Sequence, residues 1–279
     1  MRSTAPQPRG HRQCSDELNP NQDEALCRRD ASSRFEFWHE AGTLLRAAPR
    51  YPVGMDVGRA VLGLVLPERC LACGRGEDLL CGECRRGLLV LRGTLCARCG
   101  SPTAWPVERC GECAGRRLAF ASARAAVAYD DAARALVSAW KARGIARIAG
   151  LAAELVAETV PKPQVDVLAF VPGEGDRVGW RGANPARELA AALARRWGLP
   201  LERLVERARP VRPQRGLSRA ERRSNISGAF RTRGTSPEAV GLVDDVYTTG
   251  ATAGAAATEL RRAGARAVHV VTFARTVRS

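Results

Sequence analysis

The chain has 279 residues and a formal net charge of +15, and of its 44 basic side chains only Lys141 and Lys162 are lysines. That length fits a small domain plus one medium core, at about 100–200 residues per domain. No apolar run approaches the ~20 residues of a membrane-spanning helix, which excludes a helical membrane protein.

Residues 1–54 are polar, lack a sustained helical or strand period, and carry eight arginines against seven acidic residues. They are expected to be a disordered or mis-assigned extension, with Met55 as the natural start. Their Cys14 and Cys27 are read as plain thiols, and His11 and His39 support no site.

The next stretch holds four Cys-x-x-Cys pairs: Cys70/Cys73, Cys81/Cys84, Cys96/Cys99 and Cys110/Cys113. A two-residue spacer turns both thiolates toward one tetrahedral metal, and two pairs complete an all-cysteine site. A glycine follows one cysteine of every pair (Gly74, Gly82, Gly100, Gly111), as a tight knuckle would need. Two structural Zn2+ ions are expected, pairing sequentially as 70/73/81/84 and 96/99/110/113. Disulfides are the rival, but no signal peptide is visible and a cytoplasmic location is expected. Spacing alone also admits an iron–sulfur cluster. With eight thiolates and two zinc ions the charge falls to about +11, still strongly basic.

Downstream, 123–129 reads as a strand, and 132–140 and 145–160 as helices with apolar residues at helical spacing. Residues 165–171 form a buried-type strand closed by Pro172-Gly173. Asn184-Pro185 opens a helix to about Trp197, with Asn as N-cap and Pro at the first position. Ser218-Arg219-Ala220-Glu221 is a capping-box pattern for a short helix. Residues 239–243 form an apolar strand ending at Asp244 and Asp245. A hydroxyl- and glycine-rich loop follows, then a helix over about 253–263, Gly264, and a strand over 267–273. His269 alternates within that last strand and is read as structural. Strands alternating with helices predict an α/β fold with a parallel, doubly wound sheet.

The run from Asp244 to Thr252 carries the chemistry. Its carboxylates stand at the C-terminal end of a strand, where open α/β sheets bind ligands. Thr248, Thr249, Gly250, Ala251 and Thr252 offer backbone N–H groups and three hydroxyls at the positive end of a helix dipole. The lysine of a Walker loop is absent. This string resembles the signature of type I phosphoribosyltransferases, which use phosphoribosyl pyrophosphate (PRPP). The resemblance implies that Asp244 and Asp245 contact the ribose hydroxyls at the catalytic centre and that residues 248–252 hold the 5-phosphate.

Together the two signals resemble the ComF family of competence-associated proteins, a double zinc ribbon followed by a phosphoribosyltransferase domain. Three further stretches agree: Trp140-Lys141 with Gly144, Arg181-Gly182-x-Asn184, and the run from Gln214 through Glu221-Arg222 to Gly228-Ala229-Phe230. The resemblance covers about 60–276. It implies a ribbon within 55–118 and a type I phosphoribosyltransferase-like sheet within 119–279, with Mg2+ accompanying PRPP. Lys141, Arg177 and Arg181 are candidate phosphate or pyrophosphate contacts, against the equal alternatives of a solvated helix end for the lysine and solvated surface side chains for the arginines. Ala183 and Pro185 replace the family's aromatic and glutamine, so any contact made by that glutamine is lost here.

Ten arginines lie within 203–233, offset there by Glu206 and Glu221. The family's link to DNA uptake implies that such an arm, through Arg212, Arg215, Arg219, Arg222 and Arg223, tracks a single-stranded backbone. Phe230 is the one aromatic in it, which favours phosphate contact over base readout. The same arginines also fit an exposed basic loop over the PRPP site. Three functions stay open: a phosphoribosyltransferase with an unidentified acceptor, a non-catalytic DNA-handling module that binds PRPP, and a zinc-ribbon docking adaptor.

Overall fold

Residues that the sequence marks as strands assemble into one parallel sheet in the computed structural model, which describes residues 69–76, 78–173, 184–209, 226 and 228–277. The expected N-terminal extension, Arg177, Arg181, the capping-box helix and the five arm arginines lie outside the described residues. In chain order the elements are α1 (Gly82–Gly87), β1 (Ser122–Ala128), α2 (Asp131–Arg143), α3 (Arg147–Thr159) and β2 (Val167–Phe170). There follow α4 (Pro185–Trp197), β3 (Val205–Arg207), β4 (Phe230–Thr232), β5 (Ala239–Tyr247), α5 (Ala251–Arg262) and β6 (Ala267–Arg275). No helix among the described residues is long and apolar enough to cross a membrane.

The sheet order is β1-β6-β5-β2, all parallel, with Ser122 opposite His269, Ala239 opposite Ala267 and Val167 opposite Val240. Both faces are covered, which is why β6 reads as an almost unbroken apolar run. Leu168, Phe170, Val243, Val271 and Phe273 share one buried cluster with α2, α3 and α4. Val167, Ala169, Val240, Leu242, Val268 and Val270 share the other with α5, β3 and β4. Gly241 is the gap in this pattern: a Cβ there would lie 2.5 Å from Leu168 Cδ2, so Leu168 fills the space.

Local chemistry fixes the helix ends. Asp130 Oδ1 accepts from Ala133 N at 2.8 Å to start α2, and Gly144 closes it in the left-handed conformation. Asn184 accepts from Arg187 N at 3.1 Å with Pro185 at the first turn of α4, as its sequence predicts. Trp140, fully buried on α2, donates Nε1–H to Glu188 on α4 at 2.8 Å and ties the two helices together.

The cysteine loops join opposite faces of this sheet. Cys70, Leu80 and Leu88 belong to the cluster of α2–α4, and Arg85 donates to Glu154 (2.7 Å) and Glu158 (3.1 Å) on α3. Cys96, Cys99, Cys113, Leu118 and Phe120 belong to the cluster of α5. Between the two loops, Leu89 O and Leu91 N bond to Ala128 N and Ala126 O, and Val90 bridges Val127 antiparallel. The linker thereby covers the free edge of β1.

Two differences from expectation concern the ligand end of the sheet. β5 runs on through Asp244 and Asp245 to Tyr247, because β6 extends equally and pairs Val246 with Ala274 and Tyr247 with Arg275. α5 begins at Ala251, two residues early, since Gly250 supplies the left-handed turn (φ 71°) that starts it. The antiparallel pair β3–β4 and the helix α1 were not anticipated.

Candidate functional site

The eight cysteines gather into two clusters, Cys70/Cys73/Cys81/Cys84 and Cys96/Cys99/Cys110/Cys113, each with all sulfurs within 4.8 Å of one another. Sequential pairing is therefore what the fold builds. A tetrahedral ion with Zn–S of about 2.3 Å requires sulfurs about 3.8 Å apart. The separations are 3.8 Å for Cys73–Cys81, 3.6 Å for Cys96–Cys113 and 3.5 Å for Cys99–Cys110, so the donor set fits zinc.

Both clusters are built alike. Cys70 Sγ accepts from Cys81 N at 3.4 Å, and Cys96 Sγ accepts from Cys110 N at 3.3 Å. Burial raises these two thiols, but the backbone N–H groups turned onto each sulfur outweigh it and bring both down to about 6. The thiolate is thus favoured at these two positions, whereas the neighbouring thiol Cys81 pushes Cys84 up and burial pushes Cys99 and Cys113 up.

Knuckle glycines split into two kinds. Gly74 and Gly100 take positive φ (74° and 70°) and donate N–H to Cys70 O and Cys96 O. Gly82 instead opens α1, and Gly111 has no left-handed backbone, so those two are not conformational requirements. At Gly100 a Cβ would collide with Ala123 O, while nothing lies within 4 Å of one at Gly111. Gly100→Ala should cost more than about 2 kcal/mol in urea melts. Gly111→Ala should stay within about 0.5 kcal/mol of wild type.

At the other end of the chain, the loop between β5 and α5 forms a cradle. The N–H groups of Thr248, Thr249 and Gly250 have no hydrogen-bond partner among the described residues. The carbonyls beside them are held from behind: Thr276 Oγ1 donates to Thr248 O at 3.1 Å, and Arg116 Nη2 donates to Thr249 O at 2.5 Å. Thr249 Oγ1 accepts from Ala251 N at 3.3 Å, and Thr252 stands in the first turn of α5. Asp244, Thr248, Gly250, Ala251 and Thr252 line one small concavity. Gly250 admits no side chain, since a Cβ there would collide with Tyr247 Oη.

Asp244 and Asp245 stand beside this cradle, and Asp244 Oδ1 accepts from Asp245 N at 2.9 Å. Burial and the adjacent charge of Asp245 push the Asp244 carboxyl well above the usual carboxylate range, against the pull of Lys141. Lys141, at the end of α2, is ion-paired with Asp245. Burial works against its ammonium, but the charges of Asp245 and Asp244 prevail and raise it above an ordinary lysine. Lysine and the two aspartates therefore form one electrostatic unit. His269 does what its position suggested, its Nδ1 hydrogen-bonding with Ser122 Oγ at 2.9 Å.

Sequence reasoning missed the residues that join the second ribbon to the cradle. Arg275 is 1% exposed, donates to Cys99 O (2.5 Å) and Glu112 Oε2 (3.0 Å), and lies 5.2 Å over the Tyr247 ring. Arg124 donates to Ala97 O at 3.0 Å, and Arg116 holds the loop itself. An arginine closing an apolar strand, as Arg275 closes β6, was the one available signal. In a chain this rich in arginine it did not stand out.

Residues 61–114 match the double zinc ribbon domain family. Competence protein F of Haemophilus influenzae is 29% identical over 224 residues, 74% of this chain and 96% of that protein. Competence protein ComFC of Bacillus subtilis is 30% identical over 197 residues, 66% of this chain and 78% of that protein. The DNA utilization protein YhgH of Escherichia coli is 28% identical over 230 residues, 77% of this chain and all of that protein. Among solved structures, glutamine PRPP amidotransferase of B. subtilis aligns with 46% of this chain and 26% of its own, at 26% identity and a TM-score of 0.31.

Proposed function

The chain belongs to the ComF family, and from that premise we propose that residues 248–252 bind PRPP or a related ribose phosphate, in a protein that serves DNA uptake. The observation that carries the reading is the row of three N–H groups just before α5 that have no partner among the described residues, beside two carboxylates. Adjacent backbone N–H groups at a helix N-terminus favour a phosphate. Carboxylates at the same strand end suit the vicinal hydroxyls of a ribose.

Mg2+ fits the same donors, because it takes hard oxygens from one or two carboxylates together with substrate phosphates, and it would neutralise the pyrophosphate. The residues themselves do the rest. Amides of 248–250 fix the 5-phosphate, Asp244 and Asp245 orient the ribose, and Lys141 balances the paired carboxylates. If transfer occurs, positive charge developing at the anomeric carbon meets the negative charge that this coupled pair carries. Nothing among the described residues supplies a recognisable acceptor site, so the family's PRPP chemistry is carried here only as far as binding.

The names of the relatives, competence and DNA utilization proteins, favour a second role in handling single-stranded DNA. The two roles separate in one pair of assays. Pyrophosphate release that needs PRPP and an acceptor, and is lost in Asp244→Asn/Asp245→Asn, would establish transfer. Single-strand binding is expected to survive that double change and to weaken steeply with salt. Changing Arg212, Arg215, Arg219, Arg222 and Arg223 to Ser should flatten the log K against log salt slope by about 0.7 for each phosphate no longer neutralised. An unchanged slope would remove the arm from the DNA site.

A further inference from the structure

Of the side chains that join the second ribbon to the cradle, Arg116 bonds the phosphate loop itself. Residues 115–118 face Gly250 and Ala251 across a cleft of about 540 Å3, and Arg116 joins its two walls. Both ends of this arginine are fixed. Its N–H donates to the carbonyl of the ligand Cys113 at 3.2 Å, and its own carbonyl accepts from Arg109 Nη1 at 2.9 Å. Its guanidinium donates to Glu112 O at 3.4 Å and to Thr249 O at 2.5 Å.

A trans peptide points its C=O and its N–H in opposite directions. Holding Thr249 O against Arg116 therefore turns the Gly250 N–H away from the ribbon. Thr276 Oγ1 does the same for the Thr249 N–H by holding Thr248 O. Gly250 needs such a hold, because a glycine at φ 71° between two soft dihedrals is the residue most able to flip its peptide. Orientation of the donors, rather than their presence, is what an anion reads.

We propose that Arg116 is a positioning residue for the phosphate loop, so that the fold of the second zinc ribbon sets the affinity of the ribose-phosphate site. The proposal rests on that site being where ribose phosphate binds. Its charge alone is not the agent: Arg117, next to it, is exposed and makes no hydrogen bond or ion pair among the described residues.

The test uses the zinc-loaded full chain with Arg116→Met, Arg116→Lys and Arg117→Met. Two readouts are taken: the amide resonances of Thr249 and Gly250 without ligand, and calorimetric titration with PRPP and Mg2+. Arg116→Met should shift and broaden both resonances and weaken PRPP about tenfold, at unchanged zinc content. Arg116→Lys should recover part of the loss, and Arg117→Met should change affinity less than twofold. Equal losses in Arg116→Met and Arg117→Met would show a charge effect and overturn the proposal. Undisturbed resonances in Arg116→Met would overturn it as well. If the wild-type protein binds no PRPP, the ribose-phosphate reading fails, and the resonances alone then decide whether Arg116 positions the loop.

Discussion

Cys99→Ser is expected to unfold the sheet as well as the second ribbon. Cys96, Cys99 and Cys113 are 0–2% exposed and share one buried cluster with Val240, Leu242, Val268 and Val270. A structural zinc contributes about 10–16 kcal/mol of apparent folding free energy, and a whole domain has only about 5–15 kcal/mol to lose. Removing one ligand leaves the buried sulfurs of Cys96 and Cys113 and the partly buried sulfur of Cys110 around an incomplete site, and the core around them must open. Cys73→Ser should behave differently. Cys70, Leu80 and Leu88 of its loop are buried against α2–α4, and Arg85 pairs with Glu154 and Glu158 on α3. Cys73 itself is exposed, so a lost Cys73 ligand opens toward solvent rather than into the core. Zinc assay with thermal melting checks both: one zinc lost in each variant, a cooperative melt kept in Cys73→Ser and absent in Cys99→Ser. Cooperative melting of both variants would show that the second ribbon is not part of the core.

Arg275→Met is the second large effect. The guanidinium is buried, donates to Cys99 O and Glu112 Oε2, and covers the Tyr247 ring. Taking away one partner of a buried ion pair costs about 3–5 kcal/mol, mostly from the charge left behind. Here that charge is Glu112, whose other oxygen accepts from Ser101 Oγ at 3.2 Å. Arg275→Met/Glu112→Gln should therefore regain part of the loss, because no carboxylate is then stranded. Urea unfolding of the two variants reads this directly. A single variant within about 1 kcal/mol of wild type would mean that Arg275 is spectator to the core.

Much of the fold was legible because its signals are local. Asn184-Pro185 opens α4, apolar residues at helical spacing mark α2 and α3, and the apolar run 267–273 marks β6. Cysteine spacing predicted the pairing because neighbouring knuckles close over the shortest loops. What was not legible depends on contacts far apart in sequence. Arg275 meets Glu112 across 163 residues, and Arg116 meets Thr249 across 133. β3 and β4 have three residues each, too few for a period to show. Asp244 and Asp245 were singled out as a pair from their place at the end of an apolar run, and they stand side by side next to the loop. Their place inside β5, and the capture of Asp245 by Lys141, followed from the length of β6 and the end of α2. Lys141 was a candidate phosphate contact with a solvated helix end as the equal alternative, and its ion pair with Asp245 could not be read from either.

The zinc ribbons and the sheet hold one another, and the cradle sits where the second ribbon meets the end of β5. The central claim is that this cradle takes a ribose phosphate. Isothermal titration of the zinc-loaded protein with PRPP and Mg2+, wild type against Asp244→Asn/Asp245→Asn, tests it most directly. Saturable one-to-one binding by the wild type, weakened at least tenfold in the double variant, is the predicted result. No heat from the wild type, or equal affinity in both proteins, would contradict it.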